Sequence, residues 1–569
     1  MPLPTLAATA AMAATAATLR LPAPAARRAT PPASLRFEVV VPSAVHAEPI
    51  TGRVFVVLAR DSTPEPRLEA GGMVSVPFFG ADVEQLAPGS PAVVDRRAVG
   101  YPLLHLDGLA SGDYYVQAII SVYTRFPRAD GHTIWAHMDE WEGQQFNTAP
   151  GTLVSAVRRV HIDPQATAPV RIEITHVLPA VAGPADDRYV KHVRIQSRIL
   201  TRWWGHPMYL GAVVLLPEGY DAHPDTRYPV IWEQGHFTLA APFGFTLDTT
   251  PESDAARLRR IERTTGRESR ADFSRAWRGP GFPRMIAIRI LHPSPYYDDS
   301  YAVNSANNGP YGDAIMEELI PYLETHFRAI REPYARVLTG GSTGGWESLA
   351  LQVYHPEFFG GTWTFYPDPV DFRRYELVNV YDDTNAFEVR RNEWITQQRP
   401  SERRADGQPV VLLHEENQLN TARGSHRRGG ENFAIWEATF GPTDAAGYPA
   451  PIWNDSTGVI DHTVAEYWRA HFDIREYLAR NWSRVGPALV GKIHVYCGDM
   501  DNYYLDLSVY LLQQFLEGTT NPAYGGSFEY GRPLKGHGWQ PMSDADLVRT
   551  MADHVAQHGS SAAAATWHY

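Results

Sequence analysis

The 569-residue chain contains one cysteine, Cys497, so no intramolecular disulfide can form and no cysteine-based structural zinc site can be assembled. It has no run near the roughly 18 to 20 apolar residues that span a bilayer; the nearest are short stretches such as Ala212–Leu216. It has no excess of positive charge: 51 Lys+Arg stand against 64 Asp+Glu, a net of −13, so the average surface repels phosphate backbones and nucleic acid is not an expected partner. Walker-A, H-E-x-x-H and strand-linked G-x-G-x-x-G motifs are all missing, which leaves nucleotide, zinc-protease and dinucleotide readings without an anchor. What is present is globular: 44% hydrophobic, 11% aromatic and 20% charged, long enough for two large domains with insertions.

Residues 1–34 are Ala/Thr/Pro-rich with the first charge at Arg20, which suits a low-complexity tail or an export signal without a basic leader. From Leu35 the pattern alternates, with Leu35, Phe37, Val39 and Val41 on one face and Val54, Val56 and Leu58 on another, predicting half-buried strands. Residues 35–178 are therefore read as a β-sandwich domain, and 179–188, rich in Pro, Ala, Gly and Asp, as a linker. Residues 189–569 alternate strand and helix, which predicts a mostly parallel sheet covered on both faces. Within them Gly312–Arg328 predicts a helix with Ile315, Leu319, Tyr322, Leu323 and Phe327 in one stripe. The stretches 249–281 and 367–491 are too long for simple connections and are candidate caps over a site.

The sharpest motif is Gly340-Gly-Ser342-Thr-Gly344, entered from the apolar strand Arg336–Thr339 and followed by a helix-compatible segment. Strand, tight turn and helix in that order force a serine hydroxyl into the open and aim the helix N-terminus and the Thr343 amide at a developing oxyanion. A nucleophilic serine needs an acid and a base later in the chain. Gly498-Asp499-Met-Asp501, after the strand Lys492–Cys497, offers Asp501, with Asp499 as runner-up; Gly536-His537-Gly538 offers His537 between two glycines. The second oxyanion amide is expected in the Gln234-Gly235-His236-Phe237 turn, from His236 or Phe237. Asp368, in Pro-Asp-Pro, reads as turn chemistry or an alternative acid. His137, Asp139, Glu140 and Glu142 read as a solvated loop, since their spacing matches no metal site, and Arg423–Gly430 as a mobile basic loop.

These residues, with Tyr228-Pro-Val-Ile, Glu317-Glu-Leu-Ile-Pro-Tyr322, His355-Pro-Glu-Phe-Phe-Gly360 and Gly536-His-Gly-Trp539, resemble the esterase family of α/β hydrolases that includes S-formylglutathione hydrolases and feruloyl and enterochelin esterases. The resemblance covers about Arg194 to Trp539. It implies an α/β-hydrolase fold with Ser342 as nucleophile, His537 as base, Asp501 as acid, and oxyanion amides near His236 and Thr343. It departs from the family at Gln234-Gly235, where His-Gly is usual, and in the size of the 367–491 insertion. No cofactor and no metal are expected; the expected partner is a small-molecule or polysaccharide-linked ester. The resemblance also implies a secreted or periplasmic location, the alternative being cytoplasmic. A serine peptidase or acyltransferase, or a carbohydrate-binding protein with an inactive hydrolase domain, are the competing readings.

Overall fold

The computed structural model describes residues 35–143, 145–248, 250–263, 268–430, 432–559 and 567; the expected tail or export signal at 1–34 lies outside them. Among the described residues no helix is long and apolar enough to cross a membrane.

Eight N-terminal strands, from Phe37–Val40 to Val170–Val177, form one hydrogen-bonded path, and a ninth, Arg158–Ile162, pairs with Gly112–Val122 beside it. The expected β-sandwich domain corresponds to this single strand network. The edge strand Pro91–Val94 touches Phe78–Leu86 near the other end, so the path folds over its own apolar interior of Phe37, Val39, Val54, Val56 and Leu58. Ile50–Ala59 is buried along its whole length, where alternation alone predicted one wet face. The reason lies in the run Val54-Phe-Val-Val-Leu58: its second set, Phe55 and Val57, packs with Tyr297, Leu419 and Ala422 from far along the chain.

The C-terminal part is built on eight strands: β1 (Val190–Ser197), β2 (Met208–Leu215), β3 (Val230–Gln234), β4 (Ile286–Leu291), β5 (Arg336–Gly341), β6 (Gly361–Phe365), β7 (Ile493–Gly498) and β8 (Ser527–Gly531). Their order is β1-β2-β4-β3-β5-β6-β7-β8; β2 runs antiparallel to β1 and β4, and every other pair is parallel. This is an α/β-hydrolase-like mixed sheet. Helix α1 (Thr343–Tyr354) packs on β3, β5 and β6, and it is buried nearly throughout. The expected helix at 312–328 spans Tyr311–His326 with a π-helical turn at Ile315–Leu319. Pro321 cannot donate the bond that a regular helix would require there, and the extra residue per turn rotates the stripe. Ile320 is buried in place of Tyr322, which is 37% exposed.

The long insertion carries two small hairpins and helices α2 (Leu413–Arg423), α3 (Asn432–Phe440), α4 (His462–His471) and α5 (Ile474–Leu489). Its aromatics, Tyr375, Phe433, Trp453 and Trp468, pack on one another as core. The basic stretch expected to be a mobile loop is instead a buried junction. Arg427 pairs with Glu437 at 2.5 Å and Asp455 at 2.8 Å, and Arg428 reaches Asp82 at 3.2 Å and the Trp135 carbonyl at 2.7 Å. Buried guanidiniums require such partners, and these come from the N-terminal sheet and from α3.

Asp82 also accepts from Arg53 at 2.7 Å and from the Ser425 hydroxyl. Loss of hydration opposes its charge, but the two guanidiniums and these hydrogen bonds outweigh it and hold its pKa below the ordinary carboxylate value. Its contribution is therefore present above about pH 4 and lost as pH falls through the lower folded-state value. With the side chain 32% exposed, Asp82→Asn is expected to lower stability by about 1–2 kcal/mol at pH 7. Denaturant titrations should show the gap to wild type closing below about pH 4.

Candidate active site

Ser342 stands between β5 and α1 at φ 59°, ψ −124°, a conformation that a non-glycine residue keeps only when its surroundings enforce it. The enforcement is visible in the neighbouring glycines. A Cβ on Gly340 would lie 2.2 Å from the Gly344 carbonyl oxygen, and one on Gly344 would lie 2.2 Å from that of Gln234. Strand, helix and the β3 turn are thus in backbone contact beneath the serine. The Ser342 amide donates to the Phe365 carbonyl at 3.1 Å, tying the turn to β6.

At the ends of β7 and β8, two loops are laced together. The Met500 amide donates to the Lys535 carbonyl at 2.9 Å, and the His537 amide donates to Asn502 Oδ1 at 2.8 Å. A Cβ on Gly498 would strike the Lys535 carbonyl at 2.2 Å, which explains glycine there. Asp501 is fully buried; it accepts from the Tyr503 amide at 2.9 Å and lies 2.8 Å from His537 Nδ1. Asp499 instead accepts from the Lys535 amide at 3.0 Å. The runner-up carboxylate holds the loop, and Asp501 faces the imidazole. The Nδ1 contact leaves Nε2 at the opposite edge of a ring packed edge-on against Tyr366 and Tyr503.

After β3, His236 Nε2 lies 3.3 Å from Thr343 Oγ1, while Nδ1 lies 3.2 Å from Asp298. The Phe237 amide donates to Asp299 Oδ2 at 3.0 Å. Phe237 is therefore removed as an oxyanion donor, because its only N–H is taken by a buried carboxylate. The Thr343 amide opens α1 and has no acceptor within the helix. Ser342, Thr343, His236 and His537 all line one cavity of about 150 Å³.

Residues 292–432 match the family described as "Putative esterase". The matched segment includes Ser342 and Asp368 and ends before Asp501 and His537. Among curated proteins none matches the chain. Solved structures similar to it include a ferulic acid esterase (13% identity over 65% of this chain and 99% of that one, TM-score 0.33). Others are an S-formylglutathione hydrolase from Agrobacterium tumefaciens (13%, 67% and 98%, TM-score 0.31) and a fluorophosphonate-binding serine hydrolase from Staphylococcus aureus (13%, 64% and 99%, TM-score 0.29).

Around Ser342 the structure gathers Asp368, weighed above as turn chemistry or an alternative acid, together with residues that no sequence motif marked, among them Glu347, Tyr301 and Glu376. Asp368, buried beside Ser342, accepts from Tyr301 at 2.6 Å, Thr343 and Trp436 at 3.1 Å, and Ser342 Oγ at 3.4 Å. Burial raises its pKa although these donors oppose the rise. Beneath it, Glu347 of α1 is fully buried and pushed well up by burial and by Asp299, with His292 Nε2 3.7 Å away. His236 is 59% exposed. The loss of hydration that disfavours its charge is outweighed by Asp298 and Asp299, which hold it well above the ordinary imidazole range. Tyr301, Glu376, Trp436 and Tyr503 complete the cavity wall. Of the tryptophans in the insertion, Trp436 lines the cavity; Trp453 and Trp468 are core, and Trp394 is 75% exposed on a hairpin.

Among the described residues, two groups each bring three metal-type ligand atoms within 4.8 Å of one another: His137, Asp139 and Glu142, and His236, Asp298 and Asp299. The first was expected as a solvated loop. In the structure His137 and Asp139 are buried, His137 lies 2.5 Å from Glu142 and stacks on Tyr297, and the loop packs against the residues that follow β4. These two donor sets are where a divalent cation could be held.

Proposed function

We propose that the protein is a serine-dependent carboxylic-ester hydrolase. His537 Nε2 takes the proton from Ser342 Oγ as that oxygen attacks the ester carbonyl, and Asp501 orients the ring and stabilises the imidazolium through Nδ1–H. The tetrahedral oxyanion is held by the amides of Thr343 and His236. Collapse expels the alcohol, which receives its proton from His537, and leaves an acyl-serine. Water, deprotonated by the same imidazole, attacks the acyl carbon, and the returning proton regenerates Ser342. The observation that carries the reading is the left-handed Ser342 turn sharing a cavity with an imidazole whose Nδ1 is 2.8 Å from a buried carboxylate.

The test is active-site labelling. A fluorophosphonate probe is expected to modify Ser342, mapped by mass spectrometry of the full-length protein, and p-nitrophenyl acetate or butyrate should be turned over. Ser342→Ala should lose the label and at least about 10³-fold in kcat/KM. A folded protein with neither label nor turnover would sink the proposal.

A further inference from the structure

We propose that the active-site cavity contains an ammonium-binding subsite centred on Glu376, so that the preferred ester carries an organic ammonium group. The inference rests on the ester-hydrolase reading of the same cavity.

Glu376 is 1% exposed, lines the cavity that holds Ser342 and His537, and has no hydrogen-bond partner at Oε2. Asp368, the other carboxylate of this wall, is satisfied by Tyr301, Thr343 and Trp436, and Asp501, which lies against His537 outside the lining, by the imidazole and the Tyr503 amide. An acceptor buried without a donor is costly, and its presence in a binding cavity is explained when a ligand brings the donor. The backbone points the same way. Glu376 sits in a tight turn closed by reciprocal 2.9 Å bonds between the main chains of Tyr375 and Val378, at φ 52°. Glycine or asparagine suits such a position far better, so the strain is kept for the sake of the side chain. Ser342 and Tyr301, both at φ 59°, line the same cavity.

Charge selects the ligand class. Burial first, and then the acidic neighbours Glu416, Asp368, Asp501 and Glu402, push the Glu376 carboxyl well above its ordinary range, so that a cation beside it is what restores its charge. The nearby Arg403 guanidinium is engaged by Asp506 at 2.8 Å and the Asp501 carbonyl at 2.9 Å. A hydroxyl would give Oε2 a donor and leave this negative field uncompensated. An ammonium group does both, and the aromatic residues Trp436, Tyr301 and Tyr503 line the same cavity. A bare metal ion is disfavoured, because Glu376 belongs to neither convergent donor group among the described residues.

The experiment compares isosteric pairs on the full-length enzyme: p-nitrophenyl β-alaninate against p-nitrophenyl butyrate for the acyl side, and choline butyrate against 3,3-dimethylbutyl butyrate for the alcohol side. In at least one pair the cation is expected to be favoured by about 10-fold or more in kcat/KM, and Glu376→Gln and Glu376→Ala should bring that ratio close to one. Propylammonium should inhibit butyrate hydrolysis competitively where 1-propanol does not. Ratios near one in both pairs, or ratios unchanged by Glu376→Gln, overturn the subsite while Ser342-dependent turnover of neutral esters stands. If no ester is turned over, the hydrolase reading fails, and calorimetry of propylammonium on the same protein decides the subsite alone. Binding lost in Glu376→Gln supports it, and absence of binding to wild type overturns it.

Discussion

Asp501→Asn is expected to lower kcat/KM for p-nitrophenyl butyrate by about 10⁴-fold, against a loss of about 10-fold or less for Asp368→Asn. Both carboxylates are buried near the nucleophile, but they touch different atoms. Asp501 faces His537 Nδ1 at 2.8 Å, and an asparagine presenting its amide NH₂ there favours the tautomer that carries its proton on Nε2, where a base cannot accept. Asp368 contacts the serine itself at 3.4 Å and is held by three further donors. Asparagine keeps its size and its acceptor oxygen, so only the resting orientation of Ser342 changes. Steady-state rates on the two variants check this, with fluorophosphonate labelling slowed in parallel. If the larger loss fell on Asp368→Asn, the acid would have to be reassigned.

The second large effect lies in the backbone. Gly344→Ala places a methyl 2.2 Å from the Gln234 carbonyl oxygen and 2.8 Å from the Gly235 nitrogen. Neither atom belongs to a flexible side chain, so α1 and the β3 turn must separate. The expected result is a loss of about 2–3 kcal/mol in stability and about 10²-fold in kcat, because a shift near 1 Å moves the His236 amide away from the oxyanion. Gly341→Ala is the control. Its Cβ would meet first the Tyr366 hydroxyl at 2.6 Å, the far end of a side chain, and the loss should be smaller. Thermal denaturation together with kcat on each variant separates destabilisation from misplacement.

The parts of this molecule that were legible in its sequence are the local ones. Arg336–Tyr354 announces strand, strained serine and helix within 19 residues, because the apolar run, the small residues and the helical stripe are contiguous. Asp501 and His537 could be singled out by chain order and by flanking glycines. What stayed hidden is contributed by chain segments that meet only after folding. Glu376 and Trp436 belong to the insertion and Tyr301 to the loop after β4, and no spacing links them to Ser342. The charged stretches at 137–142 and 423–430 read as wet because their partners were invisible: Arg428 finds Asp82 across 346 residues of sequence. The same distance misled the reading of Ile50–Ala59, whose second apolar face is covered by α2.

That contact bears on how the molecule behaves as a whole. Phe55, Val57, Phe78 and Tyr101 share one apolar cluster with Leu419 and Ala422 of α2, and Gln418 donates to the Gly100 carbonyl. The insertion that supplies Glu376 and Trp436 to the cavity wall is therefore packed onto the N-terminal sheet through α2. If the proposed activity holds, the N-terminal sheet is a buttress of that cavity, as much a part of its architecture as the strands that lead to Ser342 and Asp501.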